Sequence, residues 1–184
     1  MFVVDIDNTL LDLARPVARL LGRHDLAASA DYPRSYDWSK DLKVQNDWLW
    51  KRVEEEGPEF WATLPWLPWG ERLLARLHKT GQDIILFSRV VGPNSSAGKS
   101  QWKSNNVPRG IPLFTTDSIK YPLAAQGRYL IDDSPENCED WEAHGGTAIM
   151  VPQPYNKNRS FVGDEYNFIM KELWLLDLVS KDNA

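Results

Sequence analysis

Apolar and polar positions along this chain follow two alternating periods. Short apolar runs rich in β-formers begin at Phe2-Val3-Val4 and recur over residues 83–87, 111–115, 128–131 and 147–151. Such runs, bounded by turn residues, read as buried strands. Between them the spacing changes to three and four. Residues 10–21 place Leu13, Val17, Leu20 and Leu21 on one side, with Gly22 as a stop. Residues 41–56 do the same with Leu42, Gln45, Leu49 and Val53 and end at Gly57-Pro58. Glu59-Phe60-Trp61 opens a short helix that ends before Pro65. Residues 70–79 carry Leu73, Leu74 and Leu77 ahead of Gly81, the expected C-terminal glycine.

Further on, residues 99–105 read as a helix opened by Ser95 or Ser96, and residues 134–144 as one with Pro135 in its first turn. A last helix over 164–179 presents Phe168, Ile169, Leu173, Leu176 and Val179. Residues 24–38, 90–100, 121–127 and 152–160 read as loops or turns. Strands alternating with helices predict an α/β fold, a doubly wound parallel sheet.

A chain of 184 residues suits one domain with a small insertion. The net charge of −5 argues against an extended nucleic-acid partner, which needs a basic footprint. The single cysteine, Cys138, allows no internal disulfide and fits a reducing, cytoplasmic setting. No secretory leader and no membrane-length apolar run are read in the sequence. Six of nine tryptophans fall between Trp38 and Trp69, which concentrates aromatic surface in one segment.

The chemistry gathers at strand ends. Asp5 and Asp7 close the first strand and share a face if the strand geometry persists. Asp132 and Asp133 close another, and Ser88 ends the strand between them. Ligands of open α/β sheets bind beyond these carboxyl ends. Paired carboxylates need a partner, and a hard divalent cation such as Mg2+ suits oxygen ligands. Gly98-Lys99-Ser100 has the wrong glycine spacing for a P-loop, with five residues between Gly92 and Gly98.

These residues resemble the motifs of the haloacid dehalogenase-like (HAD) phosphohydrolases: Asp5-x-Asp7-x-Thr9, then Ser88, a lysine, and Asp132-Asp133, in order over roughly residues 1–152. More specifically, 60–70 (Phe60…Leu64-Pro65…Gly70), Lys99-x-x-Trp102 and Leu130-Ile131-Asp132-Asp133-Ser134-Pro135-Glu136-Asn137…Trp141…Gly145-Gly146 resemble the 5'(3')-deoxyribonucleotidases. The resemblance implies a HAD-like core over 1–11 and 67–184, with a helical cap over 12–66. It implies a magnesium-dependent phosphatase acting on nucleoside monophosphates, with Asp5 as nucleophile and Asp7 as acid and base.

In that reading Asp5, the carbonyl of Asp7, Asp132 and Asp133 hold the metal, and Ser88 binds a phosphoryl oxygen. The third-motif lysine is read as Lys120, in Ser118-Ile119-Lys120-Tyr121 after the strand at 111–115, with Lys99 the alternative and a candidate substrate-binding residue. Trp38, Trp48 and Trp61 are candidates to stack on a base. The chain departs from the nucleotidase pattern at Ser88-Arg89-Val90, where a small residue and Pro are usual. Arg89 there can grip a substrate phosphate or pair with a cap carboxylate. The alternatives are a HAD phosphatase for another small phosphoester or a nucleic-acid 3'-phosphate, and a catalytically silent binding module. The sequence leaves a homodimer open.

Overall fold

The structure, a computed structural model, describes residues 1–180. Five strands form one parallel sheet: β1 (Phe2–Val4), β2 (Ile84–Arg89), β3 (Leu113–Thr116), β4 (Tyr129–Asp132) and β5 (Thr147–Met150). Their spatial order is β3-β2-β1-β4-β5, so the order reverses at β1. That switch point places the end of β1 between the ends of β2 and β4. The pleat sends alternate side chains to opposite faces. Phe2, Val4, Leu86, Ile131 and Ile149 join the larger core, while Val3, Phe87 and Leu130 meet Trp141 on the other side.

Nine α-helices surround or cap this sheet among the described residues. Six lie between β1 and β2, and the first five form the inserted segment: α1 (Ala14–Leu20), α2 (His24–Ala27), α3 (Trp38–Leu42), α4 (Asn46–Glu54) and α5 (Pro58–Ala62). The chain leaves the core at Leu11 and returns at Trp66, where these two residues form an antiparallel bridge. The remaining helices are α6 (Gly70–His78), α7 (Pro93–Asn106), α8 (Pro135–Ala143) and α9 (Glu165–Leu175).

Three helices differ from the periodicity, one of them α9, which stops at Leu175 and leaves Leu176 exposed because Asp177 turns the chain at φ 56°. The helix expected over 41–56 is two helices, because Lys43 takes a left-handed conformation at φ 58°. Asp37 caps the first by accepting from Ser39 N and also takes the Asn46 amide at 3.1 Å, which clasps the two together. Gln45 precedes α4 and is exposed, not part of an apolar stripe. Another difference is α7, which starts at Pro93, inside the stretch read as loop. Pro93 occupies the first turn, and the Ser95 hydroxyl accepts from the backbone N–H groups of Val91 and Gly92. Residues 24–38 contain the short α2 as well as loop.

Gly98 explains why such a Gly- and Ser-rich segment is helical. A Cβ there would stand 2.2 Å from the Pro58 carbonyl oxygen and 2.5 Å from Trp61 Cβ. The glycine therefore lets α5 lie directly on α7. Gly98→Ala is expected to destabilise the protein by about 1–3 kcal/mol through this overlap. Denaturant unfolding measures it, and an unchanged midpoint would contradict the close approach.

Candidate active site

The chain beyond β1 is built to hold acids. Asp5 N still pairs with the Ile131 carbonyl at 2.9 Å, so Asp5 sits beside β4 as a strand residue would. Asn8 then turns the chain at φ 54°, a conformation that asparagine tolerates better than most residues. Its carbonyl accepts from Gln153 Nε2 at 2.7 Å, which ties the turn to the loop after β5. The next residue, Thr9, donates its hydroxyl to Asp133 at 3.1 Å. The two acidic segments are thus joined by a side-chain bond across 124 positions.

Asp5, Asp132 and Asp133 are all buried, with one ligand oxygen from each lying within 4.8 Å of the others. Lys120 is buried among them. Its ammonium donates to Asp5 and, at 2.8 Å, to Asp132 Oδ2. Burial alone would lower the Lys120 pKa, but Asp132 and Asp5 more than reverse that and keep it charged. Burial pushes the Asp5 carboxyl up to about 7 despite Lys120, with Asp132 and Asp7 adding to the rise. Asp133 is raised as well, by burial first and then by Asp132 and Asp5. Three carboxyl groups thus share one lysine, Lys120.

Asp7 belongs to a second cluster. Lys99, on α7, donates to the Asp7 carboxylate, to Ser88 Oγ at 3.0 Å and to the Arg89 carbonyl. The three ammonium protons therefore have three acceptors. The Trp61 ring lies 5.2 Å from the Lys99 nitrogen and covers it. The other Asp7 oxygen, Oδ1, is buried without a partner in the protein. The structure thus gives both lysines a place: Lys120 touches the would-be nucleophile, and Lys99 the would-be acid and base.

Asp132 and Asp133 are held differently. Asp132 accepts from Ser134 N at 2.9 Å and Asn137 Nδ2 at 3.0 Å, both from the start of α8. Asp133 accepts from Thr9 and from the Tyr155 hydroxyl. Tyr155 lies in the polar loop after β5, with no motif to single it out in the sequence. Tyr155→Phe leaves one Asp133 oxygen without its donor. Where Asp133 serves as a ligand to a hard cation, losing the group that orients it is expected to lower metal affinity or turnover about 10–100-fold. A magnesium titration of activity checks this, and an unchanged titration would contradict it.

Above these clusters lies a cavity of about 570 Å³, within the usual range for small-molecule sites. Its floor includes Asp5, Asp7, Lys99, Lys120, Asp132 and Asp133. Its walls include Trp38, Trp50, Trp61 and Tyr36 from the inserted segment. Trp38 and Trp50 pack with centroids 5.3 Å apart. Trp48 does not line the cavity and is 48 % exposed, which corrects its assignment as a stacking residue. Leu49 and Val53 turn inward on α4, and this phase sends Trp50 toward the cavity and Trp48 to solvent. Arg89 lines the cavity mouth with an exposed side chain and shows no ion pair with a cap carboxylate among the described residues.

Comparisons with solved structures agree with this topology. A HAD family hydrolase from Deinococcus radiodurans R1 superposes with a TM-score of 0.58 at 12% identity, covering 96% of this chain and 95% of that one. A hydrolase from Streptococcus pneumoniae TIGR4 gives 0.56 at 14%, covering 96% and 97%. L-2-haloacid dehalogenase from Xanthobacter autotrophicus gives 0.53 at 13%, covering 94% and 86%. The fold is HAD-like. No family model matches the chain, and no curated protein matches it. Superpositions at identities this low show the fold alone and leave the reaction to the site itself.

Proposed function

We propose that the protein is a magnesium-dependent phosphomonoester hydrolase that acts on nucleoside monophosphates through an aspartyl-phosphate at Asp5. The observation that carries this reading is the buried Asp5, held between Lys120 and the Asp132-Asp133 pair at the floor of an aromatic-walled cavity. The D. radiodurans structural neighbour contains bound phosphate and sodium, which supports oxyanion and cation binding on this architecture.

The donor set fits a hard cation. Asp5, Asp132 and Asp133 offer carboxylate oxygens, and their burial with too little positive charge favours an added cation. Asp7 would contribute its carbonyl, since its carboxylate is engaged by Lys99. Bound magnesium would shield the attacking carboxylate from the phosphate charge.

The protein's own groups divide the remaining work. Asp5 attacks phosphorus, forming the acyl-phosphate bond as the ester oxygen leaves. Asp7 gives that oxygen a proton through Oδ1, the oxygen that Lys99 leaves free, and then takes one from the water that cleaves the acyl phosphate. Lys120 steadies charge at Asp5 and the phosphoryl group. Ser88 donates to a phosphoryl oxygen. Trp50, with Trp38 packed beside it, supplies flat surface for a base. Trp61, 1 % exposed beneath Lys99 and α7, is structural, which corrects its assignment as a stacking residue. Arg89 stands at the mouth as a second anion contact.

Phosphate release from nucleoside 5'- and 3'-monophosphates and from sugar phosphates tests the substrate. Preference for nucleotides is expected. Turnover of sugar phosphates alone would keep the aspartate chemistry and discard the nucleotide assignment.

A further inference from the structure

The face of α4 that carries Asn46 and Trp50 to the cavity ends in a residue outside the cavity. Positions 46, 50 and 54 are spaced by four and share one side of the helix. Asn46 and Trp50 line the cavity, and Glu54 is not among its lining residues. Instead Glu54 reaches the first turn of α7. Its two carboxylate oxygens accept from the backbone N–H groups of Asn94 and Ser95, the latter at 3.0 Å. Its backbone carbonyl accepts from the Asn94 side chain at 3.0 Å. An anion here satisfies amides that the helix leaves free and meets the positive end of its dipole.

The surroundings preserve this contact. A Cβ at Gly92 would stand 2.6 Å from Glu54 Oε1, so glycine leaves room for the carboxylate. Gly57, at φ 81°, separates α4 from α5. The two cap helices are thereby anchored to α7 at different points: α5 by its close packing at Gly98, and α4 by Glu54 at the helix start.

We propose that Glu54 is a positioning residue for substrate selection, docking α4 on α7 and setting where Trp50 and Asn46 stand against the leaving group. Asp5, Lys120 and the Asp132-Asp133 pair take their partners from elements other than α7, and Lys99 reaches Asp7 from the turn of α7 beyond the capped one, under the α5 packing. The proposal rests on the nucleotidase reading only for the identity of the leaving group.

Two variants disturb the same contact from opposite sides. Glu54→Ala removes the carboxylate. Gly92→Ala keeps it and pushes it away, on a backbone whose φ of 174° suits any residue. The test compares a nucleoside monophosphate with acetyl phosphate, whose small leaving group does not need the cap wall. Both variants are expected to raise KM for the nucleotide about tenfold or more, as misplaced binding groups do, with kcat within about threefold. For acetyl phosphate, kcat/KM is expected to stay within about twofold. Glu54→Gln, which keeps an acceptor without the charge, is expected to restore part of the nucleotide KM.

Equal losses on both substrates in the two variants would overturn the proposal, because Glu54 would then act on the catalytic floor or on stability. Unchanged KM in either correctly folded variant would overturn it too. If the wild-type protein turns over no nucleotide, the nucleotide reading fails by itself. The best bulky phosphomonoester then replaces the nucleotide, and the ratio to acetyl phosphate decides the role of Glu54.

Discussion

Asp5→Asn is expected to lower phosphate release by about 10⁴-fold or more while leaving the fold intact, as loss of a catalytic nucleophile does elsewhere. The amide matches the carboxylate in size and can still accept a hydrogen bond from Lys120. It lacks the charge needed to attack phosphorus. The same substitution relieves the resting protein. The Asp5 carboxyl is pushed up to about 7 by burial, with Asp132 and Asp7 adding to the rise. A raised folded-state pKa means that the native state holds this proton to higher pH than the unfolded chain does. The resulting penalty grows from about pH 4 to about pH 7 and is complete above it. In chelator, Asp5→Asn should therefore melt above the wild type at pH 8, and the gain should vanish near pH 4. Melting curves at the two pH values, with phosphate release at pH 8, check both parts. Full activity would remove Asp5 as nucleophile, and a lower melting point at pH 8 would contradict the charge account.

Lys120→Met has the second large effect, and it acts on both stability and rate. Lys120 is 3 % exposed and bridges Asp5 to Asp132. Methionine keeps much of the stem and removes the ammonium. Two buried carboxylates then face each other without their cation. Breaking a buried pair in this way typically costs about 3–5 kcal/mol. Turnover should fall at least about 100-fold, as it does when a transition-state charge partner is removed. Magnesium should recover part of the stability, because it would supply positive charge to the same acids. Thermal melts with and without magnesium read this directly: a larger magnesium-induced rise in the variant than in the wild type is expected. An equal or smaller rise would place the ion away from Asp5 and Asp132.

Much of this site is visible in the sequence because its residues sit where short apolar runs stop. Asp5 directly follows its strand, Asp132 ends its own, and Ser88 is the last residue but one of β2, each after an apolar pattern that announces the strand. Asp7 follows Asp5 by two, and Asp133 is adjacent to Asp132. The sequence favours Lys120 by its place between the strand at 111–115 and Asp132, and only the fold shows that Lys99 reaches Asp7 while Lys120 reaches Asp5. The start of α7 was hidden by Gly92, Pro93 and Gly98, which usually mark loops. Here Pro93 fits a first helical turn, and Gly98 answers the closeness of α5. Trp48 and Trp50 flank the same inward stripe of Leu49 and Val53, and only the fold shows that the Trp50 flank faces the cavity. Tyr155 left no local signal at all. Its partner Asp133 is 22 positions away, and only the fold brings them together.

The most direct test of the mechanism is the chemical state of Asp5 during turnover. Acid quenching in the presence of magnesium and the best phosphomonoester, followed by peptide mass analysis, reports it. The aspartyl-phosphate reading predicts one phosphoryl group on the peptide carrying Asp5, absent when chelator replaces magnesium and absent in Asp5→Asn. Steady phosphate release with no phosphoryl group trapped at any quench time, or with one trapped on another residue, would contradict it.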